Sequence, residues 1–152
     1  MTNEQLLLSN QICFPVYSTS RLITKAYKPF LSRLEITYPQ YLVFMVLWEN
    51  DGITINQISE KFMLNTNTLS PLLKRMEKAE FILRNRSKED ERSVMIQLTE
   101  KGKELKNRAL SIPEQLLETL LSENIKLDDV IQLKNTLNSL IEVLTKNSKN
   151  EK

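Results

Sequence analysis

The apolar residues of this chain change their spacing at Ala79-Glu80, from a helical period to a strand period, and that switch constrains the fold more than any other feature. Upstream, Leu69, Leu72, Leu73 and Met76 lie three or four apart on one side of a helix capped by Asn65 or Thr66. Before it, Asn56 can cap a short helix carrying Ile58 and Phe62, and a turn near Met63-Leu64-Asn65 joins the two. Downstream, Phe81 to Arg86 and Val94 to Leu98 read as two strands joined by a charged loop over 87–93. Two short helices followed directly by a hairpin make a helix-turn-helix with a wing. Pro71 removes a hydrogen bond from the second helix, which is tolerable near the first turn and costly further in.

Helices are expected on both sides of this unit. From Leu7 to Leu34 apolar residues recur at helical spacing, and Pro29 is expected to bend or interrupt the run. Thr37 as cap and Pro39 as an early helical residue place a second helix at about Pro39 to Glu49, stopped by Asn50-Asp51-Gly52. Ile53-Thr54-Ile55 alternates and is β-branched, which suits a very short strand. Thr99 then caps a long helix reaching Leu121 with a kink at Pro113, and a last helix runs from near Leu127 to Leu144, ahead of a polar tail that should fray. The C-terminal helices carry more apolar surface than a two-helix hairpin can bury, and a second subunit is the natural cover. The expected class is mainly α with a small β-hairpin wing: one domain, with 37–98 as the winged helix-turn-helix and 1–36 and 99–147 as dimerisation helices.

Composition excludes several functions. The longest mainly apolar stretch, Tyr41 to Trp48, is far short of the roughly 20 residues that span a bilayer, and Met1 to Ser9 lacks the basic start of a signal peptide, so a cytoplasmic protein is expected. Only Gly52 and Gly102 are glycines, so a phosphate-cradling loop is absent. A net charge of +2 says little by itself, but six bases stand against two acids between Lys74 and Lys88, a local net of +4. With one cysteine and no histidine, neither an intramolecular disulfide nor a Cys/His zinc site can form. No cofactor is expected.

That cysteine, Cys13, lies among Phe14, Pro15 and Tyr17, with Tyr27, Tyr38 and Tyr41 following. Pro15 suits a first helical turn, so Cys13 falls at a helix N-terminus, where the macrodipole favours a negative charge and hence the thiolate that attacks peroxides. The alternative is a buried cysteine acting as a small hydrophobe.

The order of elements, with Arg86-Ser87-Lys88-Glu89-Asp90-Glu91-Arg92-Ser93-Val94 and Leu98-Thr99-Glu100-Lys101-Gly102, resembles the MarR family of winged-helix transcriptional regulators. Gln11-Ile12-Cys13-Phe14, Ala26-Tyr27-Lys28-Pro29, Leu34 to Val43 and Leu69 to Met76 are most similar to its one-cysteine organic hydroperoxide sensors, the OhrR branch. The resemblance implies that Cys13 senses peroxide, that Tyr27 and Tyr38 hydrogen-bond it from the other subunit of a homodimer, and that Tyr17 lines the same pocket. With apolar neighbours such as Phe14 and Trp48, that pocket would favour organic hydroperoxides. The sulfenic acid would then react with a small thiol, or oxidise further, and a repressor would release its operator. On an inverted repeat of double-stranded DNA, helices from about Thr66 to Lys78 would enter successive major grooves. Asn65, Thr66, Asn67, Thr68 and Ser70 would reach base edges and phosphates, and Lys74, Arg75, Arg84, Arg86 and Lys88 mostly phosphates. Arg92, aimed by Asp90, would enter a minor groove. Asn67 stands where the family pattern has glycine. Rival readings are a thiol peroxidase, which would need reductive recycling without a resolving cysteine or a histidine, a repressor released by a small aromatic or drug-like ligand, and a broader thiol-based regulator.

Overall fold

In the computed structural model, which describes residues 3–86 and 93–150, two 3-10 turns at Asn3–Leu6 and Leu8–Asn10 lead into helix α1, Cys13–Ser32. Pro15 falls in the first turn, where its missing N–H leaves nothing unpaired. Pro29 does not interrupt α1, contrary to expectation. Lys25 and Pro29 are both exposed, so the Lys25 carbonyl that loses its donor can be hydrated. Burial of Leu31 and Leu34 holds the chain beyond it, each contributing about 1.5–3 kcal/mol.

Helix α2, Tyr38–Glu49, starts where the Thr37 N–H donates to Gln40 Oε1 at 2.8 Å. It buries Tyr41, Val43, Phe44, Val46 and Leu47, which lie on almost every side of it, and so forms the centre of the core. Asp51 closes the next turn, its Oδ1 accepting from the N–H of Gly52 (2.9 Å) and of Leu98 (2.8 Å). Gly52 sits at φ +72°, where a side chain is disfavoured.

Strand β1 is only Ile53–Thr54; Ile55, expected in the strand, begins helix α3, Ile55–Phe62. The cap is Thr54, not Asn56. Thr54 Oγ1 accepts from the Gln57 N–H while the Thr54 N–H donates to Gln57 Oε1, a reciprocal pair that satisfies two donors where Asn56 could satisfy one. Helix α4, Thr66–Lys78, follows from Asn65, whose Oδ1 accepts from the Asn67 N–H at 3.2 Å. Pro71 lies in its second turn on the exposed face. Strands β2 (Ile82–Arg86) and β3 (Val94–Leu98) pair antiparallel in the register Arg84↔Ile96, and β1 adds to β3, giving the order β1-β3-β2.

Three helices end on non-glycine residues in the left-handed region: Glu35 (φ 56°), Met63 (φ 51°) and Glu80 (φ 62°). Each ending carries the N–H donation back across five residues, Ile36 to Leu31, Leu64 to Ser59 and Phe81 to Met76, that defines a Schellman cap. In a chain with two glycines this conformation is imposed by burial of the residue that follows, Ile36 in one case and Phe81 in another. Glu35→Gly is therefore expected to raise stability by up to about 1 kcal/mol, read as a higher urea midpoint at unchanged m-value.

The long helix expected over 99–121 is two. Helix α5 spans Glu100–Ala109 and α6 spans Ile112–Leu120, with Pro113 in the first turn of α6, where its missing N–H is free of cost and its ring cannot continue α5. Helix α7 runs Leu127–Asn150, past the Leu144 limit and into the polar segment expected to fray. The chain divides into two compact units, 1–112 and 113–152.

Helix α5 locks the first unit by a device invisible in the apolar pattern. Its cations cap three other helices at their electronegative ends: Arg108 donates to the Arg33 carbonyl (2.7 Å), Lys106 to Trp48 (3.2 Å) and Lys101 to Ala79 (2.8 Å). In the second unit, α7 leaves Leu133, Leu140, Ile141 and Leu144 exposed. No helix among the described residues is long and apolar enough to cross a membrane.

Candidate functional site

Two sets of predicted residues come together, and a distance separates them. Cys13 opens α1 and is exposed; Tyr17, one turn on, shares its face and is also exposed. Arg21 donates to the Tyr17 hydroxyl at 2.9 Å, with its guanidinium 5.6 Å from the ring centre. Tyr27 lies 14 residues beyond Cys13 in the same helix, about 21 Å away at 1.5 Å per residue. There it packs on Tyr38 (ring centres 4.8 Å apart) and Tyr41 (5.7 Å). A rigid helix thus keeps Cys13 away from the phenols assigned to it, within one chain.

Burial raises the Tyr27 phenol to about 12, helped by its neighbours Tyr38 and Tyr41, and burial also raises Tyr38 and Tyr41. These phenols stay protonated donors at neutral pH. Between pH 10 and about 12 the unfolded chain releases the proton that folded Tyr27 retains, so rising pH favours unfolding across that window. Stability should accordingly hold below pH 10 and fall as pH rises towards 12, more steeply in the native chain than in Tyr27→Phe; urea melts at stepped alkaline pH measure it.

Tyr41, named with the other tyrosines but given no sensing role by the resemblance, joins this cluster through its burial on α2 and its contact with Tyr27. Trp48, expected to line the pocket with Phe14, meets the cluster edge-on at Tyr41 (6.2 Å), stacks on Phe44 (5.3 Å) and donates its indole N–H to the Gly102 carbonyl at 3.1 Å. Phe14 is exposed. Beside the tyrosines, a cleft of about 510 Å³ lies between α1 and the start of α2, with Arg21, Lys25, Lys28, Ile36 and Tyr38 on its walls. Its signal in the sequence is three bases spaced four and three apart on α1, Arg21, Lys25 and Lys28, which apolar periodicity does not register.

The second surface is the winged helix. Helix α4 buries Leu69, Leu72, Leu73 and Met76 and leaves Asn65, Asn67, Thr68, Lys74 and Arg75 exposed, with Thr66 and Ser70 partly so. Asn67 keeps a helical backbone, so the site does not demand the family's glycine. Thr66 and Ser70 share a polar cleft of about 160 Å³ with Thr54, Asn56 and Ser93, where the N-termini of α3 and α4 meet the base of the wing. Two helix N-termini directed to one polar cleft favour an anion such as a phosphate; Thr54 and Asn56 were not anticipated there. Arg86 is exposed on β2, whereas Arg84 is mostly buried and 3.6 Å from Glu77. Lys88, Asp90 and Arg92 lie outside the described residues.

The fold has known relatives among transcriptional regulators. The family model of the transcriptional regulators SarA/Rot matches residues 25–109. The organic hydroperoxide resistance transcriptional regulator of Bacillus subtilis (strain 168) is 46% identical over 141 residues, covering 93% of this chain and 94% of its own. Among solved structures, reduced AbfR bound to DNA is 33% identical with a TM-score of 0.79, covering 96% of this chain and 98% of that one. Overoxidized AbfR bound to DNA is 34% identical with a TM-score of 0.75 at the same coverage; AbfR is a protein of Staphylococcus epidermidis. Wing, helix-turn-helix and flanking helices all fall within the shared length, and the chain belongs to the MarR/SarA family of winged-helix transcriptional regulators, not to an enzyme family.

Proposed function

We propose that this chain is a cytoplasmic, homodimeric DNA-binding repressor that senses organic hydroperoxides through oxidation of Cys13. The observation that carries the reading is the separation of an exposed Cys13 from the Tyr27–Tyr38 pair by about 21 Å of rigid helix, a gap that only a second chain can close. A twofold axis crossing two antiparallel α1 helices at Ser20, midway between residues 13 and 27, sets Cys13 of each chain beside Tyr27 and Tyr38 of the other. The exposed Ile12, Val16 and Leu22 on α1 and the stripe Leu133, Leu140 and Leu144 on α7 are the apolar surfaces such a dimer would cover.

In this dimer the phenols donate hydrogen bonds to the sulfur, orienting it towards an incoming peroxide. The hydroperoxide O–O bond breaks as the S–O bond of a sulfenic acid forms and an alcohol leaves; a small thiol then displaces water and forms a mixed disulfide. Overoxidized AbfR is described bound to DNA, which favours the bulk of the attached thiol, over further oxidation, as the event that parts the two winged helices.

On DNA, two α4 helices enter successive major grooves of an inverted repeat, with Asn65, Thr66, Asn67, Thr68 and Ser70 at the bases and phosphates. Lys74, Arg75, Arg86 and Lys88 neutralise phosphates, Arg84 acts from beside Glu77, and Arg92 with Asp90 serves the minor groove. Lys74→Ala and Arg75→Ala are each expected to lower the slope of log affinity against log salt by about 1 per chain, whereas Arg84→Ala lowers it less. Fluorescence anisotropy on a labelled inverted repeat measures both this slope and the proposed function. DNA should dissociate near one equivalent of organic hydroperoxide per chain when a small thiol is present, and retention at excess hydroperoxide would contradict the proposal.

A further inference from the structure

The cleft between α1 and the start of α2 has a charge pattern that the winged helix and the tyrosine cluster do not explain. Arg21, Lys25 and Lys28 follow one another at spacings of four and three on one side of α1, and no acid is among the residues lining the cleft. Like charges at these spacings repel, by roughly 0.2–0.5 kcal/mol per pair, and only an anion between them reverses the sign. Among the described residues, neither Lys25 nor Lys28 forms an ion pair. Thr37, Tyr38 and Pro39 bring the N-terminus of the twelve-residue α2 to the same space, adding its positive pole. The volume, about 510 Å³, suits a molecule larger than an inorganic ion.

We infer that this cleft holds the anionic part of the small thiol that caps oxidised Cys13 of the other chain, and so selects carboxylate- or phosphate-bearing thiols. The inference rests on the dimeric reading above: Tyr38 lines the cleft and stacks on Tyr27, so the residues meant to meet Cys13 form one wall of it. A thiol seated with its anionic groups on Lys25 and Lys28 presents its sulfur towards the tyrosines. That sulfur attacks the sulfenic sulfur of Cys13; the S–S bond forms, the S–O bond breaks, and the oxygen leaves as water with the two protons of the thiol and the sulfenic acid. The positive potential of Arg21, Lys25 and Lys28 then raises the encounter rate of anionic thiols alone.

The test uses the full-length protein and K25Q/K28Q, both positions being exposed and outside the core. Each is oxidised with one equivalent of organic hydroperoxide per chain, and intact mass first records the sulfenic acid. Mercaptosuccinate, an anionic thiol, or cysteamine, a cationic one, is then added and the growth of the adduct is followed. The double variant should form the sulfenic acid normally, add mercaptosuccinate about tenfold more slowly, and add cysteamine at an undiminished rate. Equal mercaptosuccinate rates in the two proteins would overturn the inference while leaving peroxide sensing intact. Failure of the sulfenic acid to form before any thiol is added would overturn the underlying reading, and is seen at a separate step.

Discussion

Cys13→Ser is expected to bind the inverted-repeat operator with the affinity of the native chain and to keep it at every hydroperoxide concentration that releases the native protein. The retained affinity follows from position: Cys13 is exposed at the start of α1, contributes nothing to the core, and lies in an element apart from α3, α4 and the wing. The lost response follows from chemistry. A serine hydroxyl does not form a sulfenic acid, and the chain has no second cysteine to take over. A regulator released by a reversible ligand would keep its response in this variant, and a thiol peroxidase would lose turnover with no consequence for DNA. Anisotropy titrations of both proteins, with and without hydroperoxide, distinguish the three.

Gly102→Ala should be the most damaging small substitution in the first unit. A Cβ at Gly102 would overlap the carbonyl oxygen of Phe81 and stand 3.0 Å from Leu98 Cδ2. The carbonyl is held in place because it accepts from the Thr99 N–H at 3.1 Å, and the neighbouring Glu80 carbonyl accepts from Thr99 Oγ1 at 2.7 Å. Nor can α5 shift, since Gly102 also receives the Trp48 indole at its carbonyl and donates to Thr99 Oγ1, while Lys101, Lys106 and Arg108 hold three other helix ends. Overpacking against fixed backbone costs about 2–3 kcal/mol here, a fall of about 4–12 °C in Tm. Calorimetry of the variant tests it; an unchanged Tm would mean that α5 is free to slide.

The winged helix was legible because burial writes itself into sequence spacing. Leu69, Leu72, Leu73 and Met76 on α4 and the alternation in β2 and β3 carry their geometry in their periods. Boundaries were less legible where two local solutions competed. Thr54 outbids Asn56 because its partner Gln57 stands three residues on, and Pro113 reads as a kink or as a new helix start with equal ease. Contacts between distant residues left no periodic trace at all. The capping of α1, α2 and α4 by α5, the Trp48 bond to Gly102 and the basic cleft beside Tyr38 arise only when the elements are assembled. The division of the candidate redox residues along α1, with Cys13 at its start and Tyr27 fourteen residues on, becomes visible only with a continuous helix through Pro29.

The central claim is that one covalent change at Cys13 releases DNA. The most direct measurement takes a single sample of the protein on its inverted repeat, adds one equivalent of organic hydroperoxide per chain with a small thiol present, and reads intact mass and DNA retention together. The account predicts one thiol adduct per chain, mapped to Cys13, and loss of DNA in proportion to it. An adduct at Cys13 on protein that remains bound, or release from protein whose Cys13 is unmodified, would contradict it.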